Sequence, residues 1–232
     1  MRCVMGTITH VATRDAVVAL TFDDGPHPEF TPELLDVLAR HRAHGTFFML
    51  GEAARRHPVL VRQIAQSGHA IGNHSWNHPS FPLITRRERR SQIQACAQAL
   101  APFGQPLLRP PYGEQNMASR LDALLLHYEV VTWNRDVGDW WDRNVDRMAT
   151  LLADRVRPGD IVVLHDALYR QPEVGREPKL AREPNMDRRA MLAALDLFLE
   201  RATDRFRFLT VPELLRHGRP CRMGWYQTTR PA

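Results

Sequence analysis

Short apolar runs and stretches of helical spacing alternate along the whole chain. Residues 17–22 are almost wholly apolar and end at Asp23-Asp24-Gly25-Pro26, which predicts a buried strand feeding a turn. Thr31-Pro32-Glu33 reads as a helix start, with Thr31 as N-cap, Pro32 at the first helical position, and Leu34, Leu35 and Leu38 on one apolar face. The next strand is predicted at 46–50. A helix opens at Pro58 with Leu60, Val61 and Ile64, and a short strand at 70–72 precedes His74. Further strands are expected at 107–108, 129–133, 161–164 and 206–209, and helices at 87–100, 118–126 and 145–156. Asp187 is placed to cap a helix carrying Met191, Leu195 and Phe198, and Val211-Pro212-Glu213 opens a last short helix.

About seven β/α alternations imply a parallel sheet with helices outside it. No Gly-x-Gly-x-x-Gly follows the first strand, which disfavours a dinucleotide-binding sheet against a closed, TIM-like barrel. A barrel carries its active site just past the C-terminal ends of its strands. Polar residues fall at those places: Asp23 and Asp24, His74 and His78, Arg109, Asp136 and Asp139, and His165 each follow or end a predicted strand.

Composition narrows the class. The 232 residues are 44% hydrophobic and 25% charged, which excludes a disordered, collagenous or disulfide-stapled chain. No apolar run is long enough for a membrane span. The net charge is +5, with Lys179 the only lysine. The cluster Arg86, Arg87, Arg89, Arg90 reads as a solvated helix face, so nucleic acid is not an expected partner. Cys3, Cys96 and Cys221 are far apart and read as reduced thiols. The first residues show no apolar stretch of signal-peptide type, so a cytoplasmic location is expected.

Each chemical signal has a plain structural reading beside it. His74 and His78, four apart, can present two imidazoles to one metal from a helical turn, or be ordinary turn histidines. Asp23-Asp24 can be a capped turn. It can also divide roles, one carboxylate on a metal and the other a general base. Arg109 with Asp136 or Asp139 can be a salt bridge at the rim, and His165-Asp166 a helix-capping pair. Trp140 and Trp141 can be core, or a platform for a sugar ring.

Taken in order, Thr21-Phe22-Asp23-Asp24-Gly25-Pro26, His74-Ser75-Trp76-Asn77-His78, Arg109-Pro110-Pro111-Tyr112-Gly113, Asp136-Val137-Gly138-Asp139-Trp140 and Val163-Leu164-His165 resemble the five motifs of the polysaccharide deacetylase (NodB homology) family of carbohydrate esterases. The resemblance runs over about 15–217 and implies a single domain, 1–232, with a distorted (β/α) barrel of about seven parallel strands. It implies that Asp24, His74 and His78 bind one divalent metal, usually zinc, with cobalt, nickel and manganese as other candidates. Asp23 would be the general base, ion-paired with Arg109. The Tyr112 backbone N–H would serve an oxyanion hole, and His165 would be the general acid held by Asp139. Pro110, Tyr112, Trp140 and Val163 would line the substrate pocket. Val163 stands where the family usually has Leu, a loss of about one methylene from a wall. The segment 169–185 is longer than expected and reads equally as an excursion or a lid.

The implied reaction is metal-dependent N-deacetylation of N-acetylglucosamine units in a chito-oligosaccharide or related glycan, releasing acetate. The same centre could act on peptidoglycan, on O-acetyl xylan esters or on a small non-sugar amide. A sugar-binding protein without catalysis is disfavoured, because base, ligands and acid are all present.

Overall fold

The computed structural model describes residues 6–169 and 186–223. Seven parallel strands form one curled sheet: β2 (Val17–Asp23), β3 (Gly45–Met49), β4 (Ala70–Asn73), β5 (Gly104–Leu108), β6 (Glu129–Val130), β7 (Arg135–Asp136) and β8 (Ile161–His165). Their order is β6-β5-β4-β3-β2-β8-β7. The two edge strands, β6 and β7, are consecutive in the chain, and residues 131–134 alone cross from one edge to the other. Four residues reach only about 15–18 Å, so the sheet must curl until its edges nearly meet. The result is a half-closed barrel. Two more strands, β1 (Thr7–Ala12) and β10 (Arg219–Met223), form an antiparallel ribbon. β1 spans the opening, bridging Val131 through Ile8 and Asp160 through His10. The hydrophobic pattern had not marked this ribbon, because its strands alternate irregularly and one is rich in Arg and Pro.

Period-2 alternation sorts the strands into two cores. Val18, Leu20, Phe22, Phe47, Met49, Ile71, Val162 and Leu164 face outward. They pack under α1 (Phe30–Arg40), α3 (Pro58–Gln66) and α7 (Arg189–Ala202). Val17, Ala19, Phe48, Leu107 and Ile161 face inward, where β1 and α8 (Val211–Leu214) plug the N-terminal end. On β2 and β8 the inward row climbs Ala19–Ile161, Thr21–Val163, Asp23–His165, from apolar to ionisable. Among the described residues the remaining α-helices are α2 (Gly51–Arg56), α4 (Arg86–Leu100), α5 (Met117–Leu125) and α6 (Val145–Arg155). No helix among the described residues is long and apolar enough to cross a membrane.

Several local expectations are corrected. Helix α1 begins one residue before Thr31, with Glu29 as its N-cap residue. The Thr31 hydroxyl accepts from the His27 N–H and donates to Asp166, so it ties the helix to the rim instead of capping it. The strand expected at 129–133 pairs only at Glu129–Val130, because from Val131 the chain turns across the barrel opening. The last strand, β9 (Arg207–Phe208), pairs only with the start of β2. The N-cap residue of α7 is Arg188, with no side-chain cap; Asp187, one residue earlier, accepts the Arg189 N–H (2.9 Å). The arginine cluster is not a uniformly solvated face: Arg89 is buried and donates through Nε and Nη2 to Asp122 (3.0 and 2.6 Å). Arg86 and Arg90 reach the same carboxylate, because α4 packs on α5 and needs a counter-charge there. Cys96 and Cys221 are free thiols, and Cys3 lies outside the described residues.

Candidate active site and metal centre

All five strand-end segments converge on one rim. Asp23 stays in the inward row of β2 and is buried. Alternation alone would send the next side chain outward. Asp24 instead adopts φ +73°, the left-handed region that Asp tolerates better than most residues, and its carboxylate swings back to the rim. Gly25 follows under constraint. A Cβ there would stand 2.1 Å from an Asp166 oxygen, so the turn requires Gly.

His74 and His78 meet, but not on a helical turn. Residues 74–78 form an irregular loop in which Ser75 and His78 take φ +72° and +63°. The loop is pinned by side chains: Gln92 of α4 accepts the N–H groups of Trp76 and Asn77, Asn73 accepts Ser75 N–H, and Ser75 Oγ accepts His78 N–H. The His74 and His78 Nε2 atoms lie 3.4 and 3.3 Å from Asp24 Oδ1.

This triad fits a metal. His74 Nδ1 lies 2.7 Å from the Arg109 carbonyl, which can only accept, so Nδ1 carries the hydrogen and Nε2 is the ring nitrogen that faces Asp24. Burial, with His74 nearby, pushes His78 down to about 4 against the pull of Asp24, so His78 is neutral at pH 7. Burial would raise the Asp24 carboxyl, but His78 and His74 hold it below the usual carboxylate range. Asp24 Oδ1 is buried and has no hydrogen-bond partner among the described residues. Donors about 2.0–2.2 Å from a tetrahedral zinc stand roughly 3.3 Å from one another, which matches the spacing of Asp24 Oδ1 to each imidazole.

Two ion pairs flank the triad. Arg109, fully buried, donates through Nη1 to Asp23 Oδ1 and Thr21 Oγ1 (both 2.7 Å). Its Nε and Nη2 go to the Val131 and Thr132 carbonyls, and its guanidinium lies over Phe48. Arg109 therefore pairs with Asp23 and not with Asp136 or Asp139, because β2 places Asp23 directly in its path. On the other side, Asp139 Oδ1 is 3.0 Å from His165 Nδ1, and Asp139 Oδ2 accepts the His165 N–H (2.9 Å). Burial pulls the His165 pKa down. Asp139, with Asp23 and Asp24 behind it, outweighs that and leaves His165 pushed up to about 9. Burial raises the Asp136 carboxyl, against a hydrogen bond from the Gly138 N–H.

The pocket residues are placed unequally. Tyr112 sits at φ +59° with its ring edge-on to His78 (centroids 4.3 Å apart) and half exposed. Trp140 is partly buried, its ring T-shaped against Trp141. Val163 is buried in the inward row one step below His165, and Pro110 is buried. Asp166 is no helix cap. It is buried beneath Gly25, bonded to Thr31, and burial pushes its carboxyl up to about 7. Of the segment 169–185 only Tyr169 is described, and its N–H donates to Asp24 Oδ2 (3.1 Å). Sequence reasoning gave no role to Thr21 or Gln92, which sit inside regular elements and look like ordinary strand and helix residues.

Residues 10–131 match the family model for polysaccharide deacetylase. Two peptidoglycan-N-acetylglucosamine deacetylases of Bacillus cereus are similar. One is 34% identical over 89% of this chain and 92% of its own length. The other is 39% identical over 65% of this chain, which spans only 56% of that relative. A chitooligosaccharide deacetylase of Sinorhizobium fredii is 36% identical over 69% of this chain and 76% of its own length. The crystal structure of a peptidoglycan N-acetylglucosamine deacetylase in complex with 4-naphthalen-1-yl-N-oxidanyl-benzamide superposes with a TM-score of 0.78 at 30% identity, covering 92% of this chain and 94% of that one.

Proposed function

Because this chain belongs to the polysaccharide deacetylase family, we propose that it hydrolyses the acetamido group of N-acetylglucosamine units in a glycan, consuming one water and releasing acetate and a free amine. The observation that carries this reading is the register pairing of Asp23 with His165, each beside an opposite charge, next to a buried Asp24–His74–His78 triad.

Asp24, His74 and His78 are the residues that would hold a divalent metal, which we read as zinc. Bound there, such a cation would polarise the acetyl carbonyl and make water easier to deprotonate. Asp23, ion-paired with Arg109, takes a proton from the attacking water as its oxygen bonds to the carbonyl carbon. The carbon–nitrogen bond then breaks, and its electron pair stays on nitrogen. An amine is a poor leaving group unless protonated, and His165, cationic at neutral pH beside Asp139, supplies that proton. The Tyr112 N–H faces the developing oxyanion, and Pro110, Tyr112, Trp140 and Val163 shape the pocket for methyl and sugar. The whole chain acts as one catalytic domain.

The test is acetate release by metal-stripped protein, with and without added zinc or cobalt, from N-acetylated chito-oligosaccharides and from peptidoglycan fragments. The relatives' names support both glycans as sources of the N-acetylglucosamine unit. Metal-dependent acetate from either establishes the reaction and tells the two apart. Acetate from neither, with metal bound, overturns the substrate class and directs the search to acetylated xylan and small amides.

A further inference from the structure

Arg188 precedes α7 and is fully buried. Its Nη1 donates to the Asp139 backbone carbonyl (3.1 Å) and lies 3.4 Å from Asp139 Oδ2. Its Nε and Nη2 have no hydrogen-bond partner among the described residues. Two other buried arginines differ. Arg109 and Arg89 each engage all three guanidinium nitrogens. A buried guanidinium with one nitrogen engaged is a poor source of stability, since an apolar side chain of similar volume would do as well or better. What Arg188 contributes is therefore its grip and its charge on Asp139. Asp139 in turn grips His165 twice, at the backbone N–H and at Nδ1.

We propose that Arg188 is the positioning residue of the acid side of the site: it fixes the Asp139 carboxylate in the orientation that aims the His165 ring at the leaving nitrogen. The arrangement mirrors Arg109 on Asp23, so base and acid each rest on a buried arginine brought in from a distant segment. The role of His165 rests on the deacetylase reading; the grip on Asp139 does not.

The experiment uses the full zinc-loaded chain with Arg188→Met and Arg188→Lys. Two quantities are read. One is the NMR signal of the His165 Nδ1–H proton, assigned by its loss in His165→Gln. The other is kcat and KM for an N-acetylated chito-oligosaccharide. In the Met variant the ring proton moves and exchanges with solvent, and kcat falls about 10- to 100-fold, the usual loss for removing such a supporting partner, with KM nearly unchanged. The Lys variant recovers part of both. An unchanged ring proton in the Met variant, or a Lys variant as impaired as the Met one, overturns the proposal. If the Met variant does not fold, Arg188→Gln, which keeps a donor and drops the charge, takes its place. If the unaltered protein releases no acetate, the deacetylase reading fails while the ring proton still decides the positioning role.

Discussion

Asp23 and His165 are register partners on adjacent parallel strands, β2 and β8, with their charge partners on opposite sides. Arg109 Nη1 meets Asp23 at 2.7 Å and Asp139 Oδ1 meets His165 at 3.0 Å. Neighbouring strands stand about 4.8 Å apart, so the proposed base and the proposed acid face the same small volume from a rigid sheet.

Replacing Asp23 with Asn removes the proposed base and leaves the triad. Acetate release falls at least about 100-fold, while zinc uptake persists; retained turnover would refute the assignment. Arg109→Met leaves a buried carboxylate uncompensated, and chemical denaturation should show a loss of about 3–5 kcal/mol. Adding Asp23→Asn to that variant recovers part of the loss.

Metal binding is measurable without substrate. A cation held by the folded triad alone raises stability by about 2.7 kcal/mol at a concentration 100 times its Kd, roughly 5–10 °C in Tm for a chain of this size. Zinc should shift the melting of stripped protein, and Asp24→Ala or His74→Ala should abolish the shift.

The pH dependence of the metal-free protein carries the mark of His165. Its folded pKa, about 9, lies above the ordinary 6.5. The stabilisation is thus complete below about pH 6.5 and is lost as pH rises through about 9. His165→Gln flattens denaturation free energy over that window; an unaltered slope would mean that the imidazolium is not held by Asp139.

Asp166 produces an analogous loss at lower pH. Burial raises its folded pKa from 3.8 to about 7, so the folded state keeps a proton that the unfolded chain gives up, and stability falls as pH climbs between those values. Asp166→Asn keeps an oxygen for Thr31 and never ionises. In stripped protein it should match the parent near pH 4 and exceed it above pH 7.

Asp122 is buried and meets Arg86, Arg89 and Arg90. Asp122→Ala strands the buried Arg89 guanidinium and should cost about 3–5 kcal/mol, whereas Arg87→Ala, on the exposed side of the same helix, should cost almost nothing.

Much of the architecture is legible in local pattern. Apolar strand runs, helical spacing and the five ordered motifs are properties of short segments, and they are sufficient to predict a parallel curled sheet with ionisable residues at its strand ends. The placement of Asp23 follows from alternation. Other decisions belong to the tertiary structure, because they depend on groups far apart in the chain. Asp24 returns to the rim only through a left-handed turn beneath which Asp166 admits no Cβ. His74 and His78 meet through a loop tied down by Gln92, not through helix geometry. Arg109 selects Asp23 over Asp139, and Arg188 reaches Asp139 across 49 positions of sequence. The half-closure of the barrel is set by residues 131–134 joining its two edges. Periodicity reports which face a residue takes on its own element; which distant charge waits there is decided when the sheet curls.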